Sequence, residues 1–190
     1  MVNTLIVPVG ARCSGKNYWT DRAIERFTSL RILKSNTTRP RRAPPQDKID
    51  DCAYYFWTDD EFDRAIAKGR LAQTGAHSGF RYGLNLPYLE KELAHGSGII
   101  PLIPSAAEMI HDRFHQKFPV RIIVLRPTIH LLSQNRLRRG EKTDLVTIIA
   151  EDNDLRARQW AAPVFITFEL NGTPKDEEIL KLFDPERSPQ

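Results

Sequence analysis

The stretch TLIVPVGARCSGKN, Thr4–Asn17, decides the fold. Its first half, Thr4–Val9, is a short apolar run suited to a strand buried on both faces. Its second half, from Gly10 to Asn17, reads G-x-x-x-x-G-K with Asn where Ser or Thr usually stands. A helical pattern follows, with Trp19, Ala23, Ile24 and Phe27 spaced for one apolar face. Strand, glycine loop and helix in that order is the setting in which such a loop cradles phosphate. Gly10 and Gly15 let the backbone curl, so that its N–H groups, through Arg12, Cys13 and Ser14, converge on phosphate oxygens. The helix N-terminus adds positive potential, and Lys16 reaches the β- and γ-phosphates. The carbonyl oxygen of Asn17 is an acceptable donor to a hard cation such as Mg²⁺, in place of the usual hydroxyl.

The rest of the composition is compatible with this and excludes several classes. The chain has 190 residues, 41% hydrophobic and 27% charged, which is enough apolar material for one compact domain. Lys and Arg number 28 against 24 Asp and Glu, a net charge of +4. That excess suits a phosphate-bearing ligand and is no nucleic-acid footprint, because the acids nearly balance the bases. No apolar run approaches the roughly 18–20 residues of a membrane span, and Met1–Pro8 lacks the basic start of a secretory signal. A cytoplasmic protein with neither membrane nor nucleic-acid partner is expected. Cys13 and Cys52 form no spacing pattern for a disulfide scaffold or a zinc site. His111 and His115 stand four apart without an evident third ligand.

Beyond the loop, Arg31–Lys34 is a short second strand. Ser35-Asn36-Thr37-Thr38-Arg39-Pro40-Arg41-Arg42 follows, then a proline-rich stretch and Tyr54-Tyr55-Phe56-Trp57. Three arginines beside hydroxyls suit a second phosphate held by forked guanidiniums, or else a solvated basic loop. Thr58–Glu61 is a capping box opening a helix to about Lys68. Leu71–His77 and Phe80–Tyr82 read as strands, Pro87–Ala94 as a helix and Gly98–Ile103 as a buried strand. Ser105–Glu108 is a second capping box, for a helix through about Phe114. Val120–Leu125 is a strand, Thr128–Arg138 and Asp144–Trp160 are helices, Val164–Phe168 is a last strand and Pro174–Phe183 a closing helix. Asp184–Gln190 reads as a loose tail. Alternating helices and apolar strands predict an α/β fold with a parallel sheet and crossover helices.

These segments, in this order, resemble the guanylate kinase branch of the P-loop nucleoside monophosphate kinases. Members of that family carry the glycine loop, then Ser-x-x-Thr-Arg-x-x-Arg, a Tyr-x-Phe, a Gly-x-Tyr-Tyr-Gly hairpin and an Arg-rich lid. The resemblance runs from Leu5 to about Phe183, and the block from Ser35 to Arg42 is its most specific part. It implies a single domain, 1–190, with a three-layer P-loop kinase core at 1–36 and 89–184. An inserted small acceptor-binding lobe would lie at about 37–88, a helical lid at about 136–150 and a loose tail at 185–190. It also implies ATP and Mg²⁺ as cofactors and a small phosphorylated substrate.

Residue by residue, the resemblance assigns the acceptor phosphate to Ser35, Arg39, Arg42, Tyr54 and Tyr82. Lys16, Arg136 and Arg139 would spread the charge of the transferring phosphoryl group, with Arg138 beside them. The second-half lid arginine would fall near Ile149–Ala150 and is absent, with Arg156 and Arg158 close by in sequence. Asn171 matches a position near the adenine, and its Asn-Gly dipeptide equally suits a plain turn. The base-reading positions depart from the family: its Glu falls at Gln73, its hydroxyl at Leu84 and its Asp at Ile103, with Pro101 and Pro104 at the same strand end. Guanine's N1–H and amino group would lose charged acceptors there, at about 1.5–3 kcal/mol per bond. The resemblance therefore leaves three functions open: a kinase of GMP, dGMP or another nucleoside monophosphate; a sugar-phosphate kinase like the ribose 1,5-bisphosphate phosphokinases, which share a non-hydroxyl residue after the loop lysine; and a guanylate-kinase-like binding module without turnover.

Overall fold

The computed structural model describes residues 3–44, 47–77, 79–140, 144–158, 164–168 and 176–187. Two sheets organise them. The larger contains β1 (Leu5–Gly10), β2 (Arg31–Ile32), β7 (Gly98–Ile99), β8 (Val120–Pro127) and β9 (Val164–Phe168), all parallel, in the order β2-β7-β1-β8-β9. The smaller contains β3 (Ser35–Thr37), β4 (Tyr54–Phe56), β5 (Leu71–His77) and β6 (Phe80–Asn85), in the order β4-β3-β6-β5. Its β3–β4 pair is parallel and its other pairs are antiparallel.

Strand alternation builds the three layers. Leu5, Val7, Val9, Ile122 and Val124 enter one apolar cluster, while Ile6, Ile123 and Leu125 enter the cluster on the opposite face. The first is closed by α4 (Leu86–His95), α5 (Pro104–Phe114) and α7 (Leu145–Ala157), through residues such as Leu89, Leu93, Ile110, Phe114 and Leu155. The second is closed by α1 (Lys16–Arg26) through Trp19 and Ala23, and by α8 (Asp176–Leu180) with the 3₁₀ turn that ends at Phe183. α6 (Ile129–Arg138) gives Leu131 to one side and Leu132 to the other. Each fully buried Leu, Ile or Phe contributes about 1.5–3 kcal/mol. This is the expected parallel α/β architecture of a P-loop kinase core.

Four expectations change. The strand read as Gly98–Ile103 is regular only over Gly98–Ile99; beyond it Ile100 and Leu102 still donate their N–H groups to the Ile6 and Pro8 carbonyls (3.0 Å each), but Pro8 has no N–H to return a bond and the pairing reduces to a Val9–Leu102 bridge. α5 begins at Pro104 with Ile103 as its cap and no side-chain capping bond, so Ser105 is inside the helix. Pro is well placed at that first helical position, where its missing N–H costs nothing. A helix, α2 (Asp47–Ala53), occupies the proline-rich stretch. The tail is tied down further than expected: Arg121 donates to the carbonyls of Leu182 (3.1 Å), Asp184 (2.6 Å) and Arg187, and Pro185 is buried. The capping box at α3 (Asp59–Ala67) is formed as read, and Thr128 and Asp144 cap α6 and α7. Trp160 lies outside the described residues. Among those residues no helix is long and apolar enough to cross a membrane.

Candidate active site

The loop from Gly10 to Asn17 leaves β1 at the C-terminal end of the parallel sheet and enters α1. Gly15 caps α1 in the left-handed region, φ 91°, and Cys13 is also left-handed at φ 65°. The requirement for glycine at position 10 is steric: a Cβ there would stand 2.4 Å from Ser14 Oγ and 2.6 Å from the Leu125 carbonyl oxygen. Lys16 curls back over the loop and donates from Nζ to the carbonyls of Gly10 (2.7 Å) and Ala11 (2.9 Å). Burial pulls its pKa down to about 8, with a smaller contribution from the positive charge of Arg139; Cys13 and Glu151 oppose the shift. Ser14 is buried, and its Oγ has no hydrogen-bond partner among the described residues. Arg12 and Asn17 are exposed.

The smaller sheet carries the second cluster. Ser35 pairs with Tyr54, and Thr37 with Phe56 and Tyr82, so register puts Ser35, Tyr54 and Tyr82 on one face. Tyr54 and Tyr82 meet edge to face at 6.2 Å. Arg39 lies over the Tyr54 ring at 5.3 Å, and the Tyr82 phenol lies against its guanidinium. Burial pushes the Tyr54 hydroxyl's pKa up, so it stays protonated and able to donate. Both arginines converge on Asp50 of α2, a residue singled out by no sequence motif. Asp50 Oδ2 accepts from Arg39 Nη1 (3.0 Å) and the Arg42 backbone N–H (2.9 Å). Its Oδ1 accepts from Arg39 Nη2 (2.9 Å), Arg42 Nε (3.0 Å) and Arg42 Nη2. Burial pushes the Asp50 carboxyl's pKa up, but the bonds from Arg42 and Arg39 outweigh it and hold the group well below the usual carboxylate range.

Between α1, β2, α2 and the chain that follows β7 lies a cavity of about 200 Å³, lined by Asn17, Thr20, Asp21, Ile32, Cys52, Ala53 and Pro101. Thr20 is buried beside it, and its hydroxyl has no hydrogen-bond partner among the described residues. Burial raises the Asp21 pKa, assisted by Glu25. Of the base-reading positions, Leu84 is 1% exposed and part of the core, whereas Ile103 is 56% exposed at the α5 cap. Gln73 is on β5, with its side chain outside the described residues. Asn171 is outside them altogether.

The arginines of α6 divide. Arg136 is buried and paired to Glu151 of α7 at 2.6 Å. Arg139 caps α6 and is the one whose charge is felt by Lys16. Asn135 Nδ2 donates to the Cys13 carbonyl at 3.2 Å, tying α6 to the loop. Arg156 and Arg158 do not replace the missing lid arginine: Arg156 pairs with Asp152, and Arg158 with Asp154 and Glu108. His111 and His115 stack at 5.0 Å, and among the described residues no three potential ligands cluster for a metal.

A glycine loop set between the first strand and first helix of a parallel sheet, with an arginine pair in the loop that follows the first strand of a second sheet, fits the P-loop kinase architecture. No family model matches the chain. It is, however, 32% identical over 181 residues to the guanylate kinase of Synechocystis sp., covering 94% of this chain and 90% of that protein. The guanylate kinase of Symbiobacterium thermophilum is 29% identical over 140 residues, 73% of this chain, and the match spans only 64% of that relative's length. The crystal structure of guanylate kinase from Anaplasma phagocytophilum superposes with a TM-score of 0.65 at 18% identity, covering 96% of this chain and 85% of that one. The chain belongs to the guanylate kinase family.

Proposed function

We propose that the protein transfers a phosphoryl group from ATP to a small acceptor that already carries a phosphate. The observation that supports this reading is the presence of two cationic clusters: the loop around Lys16, and Arg39 and Arg42 beside Tyr54 and Tyr82 of the smaller sheet. Phosphoryl transfer asks mainly for positioning and charge neutralisation, which these groups supply without a general base. In this reading residues 37–88 form the acceptor lobe. The segment around 136–150 acts as the lid, with Arg139 the better placed of its two candidate arginines and Arg136 held by Glu151.

Mg²⁺ fits the site modestly. Asn17 offers one neutral oxygen at the start of α1, while Pro101 and Ile103 offer no side-chain oxygen at the strand end. Mg²⁺ is characteristically held by few protein ligands plus substrate phosphates and water, so a single amide oxygen is compatible with it. When bound, it would neutralise the β- and γ-phosphate oxygens.

By family, the acceptor is a nucleoside monophosphate, GMP or dGMP first. A sugar phosphate is the second reading, favoured by the apolar residues Leu84 and Ile103 at base-reading positions and by the cavity beside Asp21. The test is coupled ADP release with ATP and Mg²⁺ against GMP, dGMP, AMP, UMP and ribose 1,5-bisphosphate. Turnover with a nucleotide supports the first reading, and turnover with the sugar alone supports the second. Silence across the panel, or turnover that survives Lys16→Ala, would mean that the protein is not this kind of kinase.

A further inference from the structure

A buried aspartate stands behind the two arginines, and its geometry gives it a specific task. A guanidinium has two forks, an end-on pair of Nη groups and a side-on pair of Nε and Nη. Asp50 takes the end-on fork of Arg39, through Nη1 and Nη2, and the side-on fork of Arg42, through Nε and Nη2. Each arginine thus retains its other fork, the side-on pair of Arg39 and the end-on pair of Arg42, and the Tyr82 phenol lies against the Arg39 guanidinium.

We propose that Asp50 is the positioning residue of the acceptor-phosphate site, holding Arg39 and Arg42 by one fork each so that both present the second to the incoming phosphate. The inference rests on the reading of Arg39 and Arg42 as that site. Burial distinguishes it from the opposite arrangement, in which the carboxylate sits where the phosphate would go. A stand-in anion in an open site would face solvent, yet the Asp50 side chain is 0% exposed while Arg39 and Arg42 are 15% and 47% exposed. The carboxylate is on the inner side and the guanidiniums are outward of it.

Four further contacts make the frame stiff. The Arg42 backbone N–H binds the same carboxylate, so the turn between Arg39 and Arg42 is fixed with the side chains. Arg39 also donates from Nη1 to the Pro40 carbonyl at 2.9 Å and is stacked on Tyr54. Thr37 Oγ1 accepts the Arg39 N–H at 3.1 Å, tying the turn to β3. Two guanidiniums against one carboxylate leave a net positive charge for the ligand. They meet it already oriented, which avoids ordering two long side chains at the moment of binding.

Inorganic phosphate is the probe, titrated with ADP and Mg²⁺ in excess so that the loop at Gly10–Asn17 is filled. Apparent Kd is read from thermal-shift curves of the whole chain. Asp50→Asn should weaken phosphate binding by roughly tenfold or more and leave ADP affinity unchanged, as expected when preorganisation is lost. Adding Asp50→Asn to the Arg39→Ala/Arg42→Ala double variant should change the residual phosphate affinity by less than about threefold, because Asp50 acts through the two arginines already removed. A folded Asp50→Asn protein that binds phosphate as tightly as wild type, or more tightly, overturns the proposal. Arg42→Lys tests the same idea on a half-exposed side chain: it keeps the charge and cannot fork. Its affinity should fall close to that of Arg42→Ala, and wild-type affinity would overturn the proposal. Should Arg39→Ala and Arg42→Ala both leave phosphate binding intact, the acceptor-site reading falls and takes this inference with it. Sensitivity to both arginines without sensitivity to Asp50 removes the inference alone.

Discussion

Raising the pH from 7.5 to 9.5 should weaken ATP binding about 25-fold through Lys16 alone. The free protein holds this ammonium at a pKa of about 8, chiefly because it is buried, down from 10.5. The protonated fraction therefore falls from about 0.76 to about 0.03 over that range, while bound phosphates hold the proton on the nitrogen. The sign for stability is opposite. The folded chain releases the Lys16 proton at a lower pH than the unfolded chain, so between about pH 8 and 10.5 the unfolded state carries more protons and Lys16 makes stability rise with pH. Calorimetric titration of ATP at half-unit intervals measures the first effect, and the melting temperature of the ligand-free protein follows the second. Arg139→Ala removes one of the charges that depress the lysine, so it should move the midpoint of the affinity loss to higher pH. Flat ATP affinity from pH 7.5 to 9.5, or the same slope in Lys16→Ala, would refute the account of Lys16 as a buried, phosphate-seeking ammonium.

Gly10→Ala should lower ATP affinity more than tenfold and cost about 1–3 kcal/mol of stability, because its Cβ drives into Ser14 and a fixed backbone carbonyl; wild-type affinity by calorimetry would show that the loop gives way. Thr58→Ala should cost about 1 kcal/mol and roughly 2–4 °C in Tm by removing the α3 cap, with ADP affinity unchanged. A Tm equal to wild type would mean that the capping box adds nothing to α3.

What was legible in the sequence was local. The apolar run before Gly10, the glycine spacing and the period of α1 are all set by neighbours in the chain, as are the cap at Thr58 and the helix starts at Thr128 and Asp144. β3 and β4 were not legible: Ser-Asn-Thr and Tyr-Tyr-Phe are three residues each, too short for periodicity, and β4 is held by β3, which in turn is held by β6. The capping box at Ser105 matched a pattern that Pro104 pre-empts, since its fixed φ already begins the helix. Asp50 carried no signal at all. Its meaning arises only when α2 folds back on Arg39 and Arg42, and the Asn135–Cys13 bond arises only when α6 packs on the loop, across 122 positions of chain.

The departures from the guanine-reading pattern are not three independent point changes. Leu84 lies in the same apolar cluster as Leu33, Leu86 and Leu89, at the junction where β2 leads into β3 and β6 leads into α4. A hydroxyl there would be left without a partner and would open a gap in the packing, a loss of about 2–5 kcal/mol for a Leu cut to a small side chain. Pro101 lines the cavity just past β7, and Pro104 starts α5 one residue after Ile103, which leaves the Ile103 side chain exposed at the cap. Restoring a carboxylate at position 103 alone would therefore not rebuild a base-reading site, because Leu84 and the proline-shaped strand end would remain. The proposed acceptor-phosphate cluster follows another logic: Ser35, Tyr54 and Tyr82 share a sheet face, and both arginines bond the buried Asp50. On the proposed reading the acceptor would be held chiefly by its phosphate, because positions 84 and 103 are core and cap, and discrimination between acceptors would fall to the cavity lined by Thr20, Asp21 and Pro101.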